Sequence, residues 1–230
     1  MNIQGFQSLT LLDFPGKVAC TVFCGGCNLR CPFCHNASLV LFPREAENKE
    51  AEVLEYLAKR KGILEGVCIT GGEALLQPDL GEFIAKVKQM GFAVKLDTNG
   101  SDPKKLANIL AEQKPDYIAM DIKSAPETYF LATGKEMDFE LFSKSVELIQ
   151  NSGIPYEFRT TFVKGIHTKS DAEGIGKFLA GSSPYFLQNF VDSGNLIGSG
   201  YESFSDEEMG ELLSILKKYL PQAQIRGRAE

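Results

Sequence analysis

The sequence has no apolar run approaching the roughly 18 residues that span a bilayer. It has no basic tract, and its start lacks the basic-then-apolar pattern of a secretory leader. The first absence excludes a membrane-spanning helix. The second argues against a general nucleic-acid surface, and the third makes the cytoplasm the expected location. Low-complexity stretches and internal linkers are also missing, so 230 residues read as one core domain (17–220) with a short N-terminal extension (1–16) and a C-terminal tail (221–230). A net charge of −6, from 30 acidic and 24 basic residues, serves mainly solubility. Cysteine is scarce outside one place: five of the six lie between Cys20 and Cys34, and Cys68 stands alone. A disulfide-stapled domain spreads its cysteines along a shorter chain, so this crowding points to a metal.

What is present is a rhythm of short apolar runs alternating with helical patterns. Strands are expected at 17–23, 66–70, 93–97, 117–122, 156–163 and 185–190, each rich in β-branched or aromatic residues. Helices fit between them at 50–61, 79–90, 103–112 and 139–151. Two more are announced by the capping-box pairs Ser170/Glu173 and Ser205/Glu208. Six β/α units build a parallel sheet covered by helices. An open doubly wound sheet and a partial, open TIM-type barrel both satisfy the pattern, and the barrel is the expected form. In either, the site lies at the carboxyl ends of the strands. That is where the unusual residues fall.

The segment Cys24–Asn36 reads C-G-G-C-N-L-R-C-P-F-C-H-N. Cys27, Cys31 and Cys34 have the spacing C-x3-C-x2-C, and so do Cys20, Cys24 and Cys27. The second register is rejected because Cys20 sits inside a strand whose side chains alternate between faces. Three thiolates on one loop can each hold one iron of a four-iron cluster and leave the fourth iron open. A zinc site completed by His35 is the alternative, weakened because His35 directly follows Cys34. Cys24 is a leftover near the loop, and Cys20 and Cys68 read as small buried residues. The 36 residues between Cys34 and Gly71 leave no room for a cysteine-rich insert, so one cluster is expected.

This loop resembles the cluster loop of radical S-adenosylmethionine (SAM) enzymes. More narrowly, it is similar to that of glycyl-radical enzyme activating proteins, above all those serving anaerobic ribonucleoside-triphosphate reductase. The likeness extends to L-D-F-P-G-K, T-G-G-E, L-D-T-N-G, A-M-D-I-K and F-R-T-T, covering residues 5–165. Ala74 departs from it, standing where the family usually has proline. The resemblance implies one [4Fe-4S] cluster on Cys27, Cys31 and Cys34. It implies SAM bound by Gly71, Gly72 and Glu73 at its amino group, by Asp97, Thr98, Asn99, Asp121, Lys123 and Arg159 around its carboxylate and ribose, and by Phe33 beside the adenine. A monovalent cation is expected near Asp97 and Asp121. The implied activity is reductive cleavage of SAM to a 5′-deoxyadenosyl radical that takes hydrogen from a glycine of a partner enzyme. Flavodoxin or ferredoxin is the expected electron donor. Two rivals share parts of this reading: a radical SAM enzyme acting on a small molecule, in the manner of the deazaguanine synthases, and a non-enzymatic zinc or redox module. His167 reads as a surface residue, and the Gly/Ser-rich segment 195–203 as a mobile flap or a docking segment.

Overall fold

A computed structural model of the chain describes residues 1–42 and 49–227. Eight strands form one sheet in sequence order: β1 (Ile3–Thr10), β2 (Ala19–Cys24), β3 (Gly66–Gly71), β4 (Ala93–Thr98), β5 (Tyr117–Asp121), β6 (Tyr156–Phe162), β7 (Tyr185–Asn189) and β8 (Gln224–Arg226). β1 runs antiparallel to β2, and all other neighbours are parallel. β2 to β7 are the six strands the apolar runs announce. β1 and β8 are additions: part of the 1–16 extension and part of the 221–230 tail join the sheet, while residues 228–230 of that tail lie outside the described ones. β1 escapes the pattern because IQGFQSLT mixes glycine and polar residues, as suits an edge strand exposed over Gly5's neighbours Phe6–Leu9.

The helices are α1 (Ala37–Leu41), α2 (Lys49–Ala58), α3 (Leu80–Gln89), α4 (Pro103–Glu112), α5 (Tyr129–Thr133), α6 (Phe139–Gln150), α7 (Lys169–Leu179) and α8 (Asp206–Leu216). α3, α4 and α6 bury the stripes their spacing indicates, for example Leu80, Phe83, Ile84 and Val87 on α3. Ser205 and Glu208 form the expected capping box of α8. The cap of α7 is Thr168 with Asp171, two residues before the anticipated pair. Asp171 also accepts from Thr128, an added partner that favours the earlier start.

The sheet curls. Gln7 of β1 and Gln188 of β7 line the same cavity, whereas a flat sheet would hold them roughly 30 Å apart at about 4.8 Å per strand. The open doubly wound alternative is thereby excluded. Strand alternation divides the residues between two faces. On β4, Val94 and Leu96 pack under the helices while Lys95 and Asp97 point into the barrel; on β6, Phe158 and Phe162 face the helices while Arg159 and Thr161 face the cavity. No helix among the described residues is long and apolar enough to cross a membrane.

Candidate active site

The cavity encloses about 520 Å³ at the carboxyl ends of the strands. Cys27, Phe33, Cys31 and Cys34 line one side of it; Gly71, Gly72, Thr98 and Asn99 line the middle; Asp97, Asp121, Lys123 and Arg159 line the floor. Of the residues expected to hold the cluster or SAM, Glu73 alone is not among the cavity's lining. Cys20 and Cys24, on the helix-covered face of β2, are fully buried and do not line the cavity; Cys68, on the barrel face of β3, is fully buried below it beside Lys95. All six cysteines are free thiols.

The cysteine loop leaves β2 and is fixed by backbone bonds at every turn. Gly25 N–H donates to Asn2 O at 2.9 Å, Gly26 N–H to Leu39 O at 2.8 Å and Arg30 N–H to Thr133 O at 2.8 Å. Cys34 N–H closes a turn on Cys31 O at 3.0 Å. Two donors aim at the Cys27 sulfur: the Leu29 N–H at 3.4 Å and the Asn99 side-chain amide at 3.8 Å. Burial pushes the Cys31 thiol up to about 12 and raises that of Cys27 as well. Thiols so buried become thiolates only when a metal supplies the positive charge. Soft ligands, a preformed loop and donors on sulfur fit an iron–sulfur cluster. His35, the fourth ligand of the zinc alternative, lines the same cavity and stacks its ring on Phe190 with centroids 5.6 Å apart. Among the described residues, no three His, Cys, Asp or Glu side chains converge on one metal ion. Thiolates that each meet a different iron of a cluster stand farther apart than ligands of a single ion.

Gly71, the last residue of β3, and Gly72 after it serve the cysteine loop as well as the cavity. Gly72 N–H donates to Cys24 O and Glu73 N–H to Gly26 O, both at 2.8 Å. A side chain at Gly72 would place its Cβ 2.0 Å from Gly26 O. The Glu73 carboxylate, expected at the SAM amino group, turns inward instead and is 1% exposed. It accepts from Thr98 Oγ1 at 2.7 Å, Asn99 N at 2.6 Å and Leu75 N at 3.0 Å. Glu73 thus ties the end of β3 to the end of β4 and sets the Asn99 amide against Cys27. Burial pushes its carboxyl up to about 7 against those three donors. Glu73→Gln is expected to lose the Asn99 bond, since an amide nitrogen there faces the Asn99 N–H. A loss of about 1–3 kcal/mol in urea unfolding and a weaker hold on iron are the expected outcomes.

The cavity floor is a continuous ion network. Arg159 Nη2 reaches Asp97 Oδ2 at 3.0 Å and Arg159 Nε reaches Asp121 Oδ1 at 2.5 Å; Lys123 Nζ reaches Asp121 Oδ2 at 2.9 Å. Lys95 Nζ bonds the other Asp97 oxygen. Burial would raise the Asp121 carboxyl, but Arg159 and then Lys123 outweigh it and hold it well below the usual carboxylate range. Asp97 is lowered in the same way by Arg159 and Lys95. Each carboxylate therefore already has two cationic side chains. Beneath lies Glu157, held by Arg226 through two bonds of 2.6 Å and by the Tyr117 hydroxyl at 2.9 Å.

Lys95, Glu157 and Arg226 were not visible as site residues in the sequence. The available signal was polar alternation on β4 and β6, which puts Lys95 with Asp97 and Glu157 with Arg159. His167 is a correction: it is 3% exposed, not a surface residue. Its Nδ1 accepts from Val163 N at 3.0 Å, which leaves Nε2–H to donate to Lys123 O at 2.8 Å. Its ring meets the edge of Phe33 at 5.9 Å. Burial lowers its basicity, in keeping with a neutral brace behind Lys123. The 195–203 segment is fastened to the cysteine loop by the Gly198 N–H on Pro32 O at 2.7 Å, and to β6's exit by the Lys164–Glu202 bridge.

Comparison with known proteins agrees with this geometry. The family model described as "Radical SAM superfamily" matches residues 21–179. A protein of Methanocaldococcus jannaschii named as a glycyl-radical enzyme activating enzyme is 30% identical over 97% of this chain and 95% of its own length. The pyruvate formate-lyase-activating enzyme of Clostridium pasteurianum is 34% identical over 64% of each chain. Among solved structures, SuiB of Streptococcus suis bound to S-adenosylmethionine superposes with a TM-score of 0.68 at 18% identity, over 88% of this chain and 48% of that one. Methylornithine synthase superposes at 0.63 and 15%, over 90% and 63%. Those two likenesses carry the fold, a partial TIM barrel; the sequence relatives carry the family. With its three-cysteine loop at the mouth of that barrel, the chain belongs to the radical SAM superfamily, among the glycyl-radical enzyme activating enzymes.

Proposed function

We propose that this chain activates anaerobic ribonucleoside-triphosphate reductase by generating a radical on one of its glycines. In this reading the core of residues 17–220 carries the chemistry, with Cys27, Cys31 and Cys34 holding one [4Fe-4S] cluster. When bound, the cluster and SAM supply an electron, delivered by flavodoxin or ferredoxin, and a 5′-deoxyadenosyl radical. The protein's part is position and shelter. The Gly71–Gly72 backbone and the Asn99 amide face the methionine end of SAM. Lys123 and Arg159 offer positive charge to its carboxylate, with Asp97, Asp121 and Thr98 fixing those cations toward the carboxylate and ribose, and Phe33 packs beside the adenine. Glu73 acts at one remove, by holding Asn99. Asp97 and Asp121, near which a monovalent cation is expected, are paired with Lys95, Arg159 and Lys123.

The observation that carries the reading is the conjunction of three thiols on one wall of a cavity with an open side. β1 and β8 each have one neighbour, so a loop of a protein substrate has a way in. Val191, which lines the cavity, is 67% exposed.

The test is to mix the reconstituted, reduced protein and SAM with anaerobic ribonucleoside-triphosphate reductase and record the EPR spectrum. A glycyl doublet that grows with 5′-deoxyadenosine is the expected result. Cleavage of SAM without that doublet would remove this partner and favour a small-molecule substrate.

A further inference from the structure

Lys95 is a buried cation that the assigned chemistry does not use. Its residue is 1% exposed on β4, with its strand neighbours Cys68 on β3 and Tyr117 on β5. Nζ bonds Asp97 Oδ1, and the Cys68 sulfur lies 3.9 Å away. Burying an ammonium costs several kcal/mol unless it is paired, so its position calls for a role. The pairing runs outward from it: Lys95 to Asp97, Asp97 to Arg159, Arg159 to Asp121, Asp121 to Lys123 at the cavity. With Glu157, 4.0 Å from Arg159, and its partner Arg226 counted in, four cations face three carboxylates, leaving one net positive charge beside the anionic end of any ligand that meets Lys123. Without Lys95 that surplus vanishes, Asp97 keeps only Arg159, and the guanidinium is drawn inward, away from Asp121.

We propose that Lys95 is a built-in monovalent cation: its ammonium fixes Asp97, and through Asp97 it positions Arg159, so that SAM binding needs no potassium or sodium ion. It is a positioning residue acting through Asp97. The proposal rests on the cavity being the SAM site. A bare alkali ion needs several free oxygens, whereas all four carboxylate oxygens of Asp97 and Asp121 already face Lys95, Arg159 or Lys123. Truncating the side chain leaves room for a small alkylammonium ion to take its place.

The experiment measures SAM affinity of the reconstituted protein at matched ionic strength in tetramethylammonium, potassium and ethylammonium chlorides. Wild type is expected to change by less than about twofold among them, the range of simple screening. Lys95→Ala is expected to bind roughly tenfold or more weakly in tetramethylammonium and to recover in ethylammonium. Lys95→Met, which fills the space without charge, is expected to lose affinity and not recover. In the protein without cluster or SAM, the melting temperature of Lys95→Ala should rise with ethylammonium more than that of wild type. A wild type that needs potassium overturns the proposal. So does a Lys95→Ala protein that binds SAM normally without added cation, or one that is folded by circular dichroism and rescued by no monovalent cation. If wild type binds no SAM in any salt, the reading of the cavity fails instead, and the melting arm still reports on Lys95.

Discussion

Cys31→Ser protein, reconstituted with iron and sulfide without oxygen, is expected to lose the cluster and to release 5′-deoxyadenosine about a thousandfold more slowly, or not at all. The three cysteines on the cavity wall leave no spare: Cys24, next to them in sequence, is fully buried in β2 and does not line the cavity. The control is therefore Cys24→Ala, which keeps its iron. That pair of results separates the two cysteine registers that the sequence offers. Iron retained in Cys31→Ser and lost in Cys24→Ala would reverse the assignment, and iron content with visible absorbance is a sufficient readout. The expectation is severe because the thiols of Cys27 and Cys31 sit where burial disfavours their ionised forms. The cluster itself stabilises them as thiolates, and two are too few to hold it.

Arg159→Leu is expected to be the most destabilising change in the cavity floor. It strips Asp97 and Asp121 of the guanidinium that bridges them at 3.0 and 2.5 Å. A buried charge pair broken on one side costs about 3 kcal/mol, measurable as a lower urea midpoint in the protein without cluster. The pH dependence has a definite sign. Both carboxyls are held below their ordinary values in the folded chain, so they contribute stability that is present above about pH 4 and lost as pH falls through and below that range. Arg159→Leu should flatten this acid limb. Adding Asp121→Asn should restore part of the lost stability, because it removes one of the stranded charges. Equal unfolding midpoints for wild type and Arg159→Leu at neutral pH would refute the network's role.

Much of this architecture was legible from residue order. Short runs of β-branched, aromatic and aliphatic residues locate β2 to β7, because each strand keeps an apolar face under the helices even where its barrel face is polar, as on β4 and β6. The cysteine spacing locates the metal loop because three ligands to one cluster must come from one short turn. What escaped depends on contacts across the barrel. Arg226 and Glu157 are 69 residues apart, and nothing local in either segment announces the pair. β8 has three residues, too few for a period to show. Glu73 was read as facing a ligand because a carboxylate beside two glycines is chemically apt. Its actual partners, Thr98 and the Asn99 N–H, come from the next strand. His167 looks like a loop residue in sequence, yet the fold folds that loop under Lys123 and Phe33. Lys95 shows the same limit from the other side: alternation places it with Asp97, but only the curled sheet makes it a buried charge.

The most direct measurement is electron–nuclear double resonance on the anaerobically reconstituted, reduced protein with SAM labelled in its amino nitrogen and carboxylate oxygen. The account predicts about four irons per chain and coupling of both labels to one iron, the site that Cys27, Cys31 and Cys34 leave uncapped. A colourless protein with bound zinc, or an intact cluster that shows no coupling to either label, would contradict it.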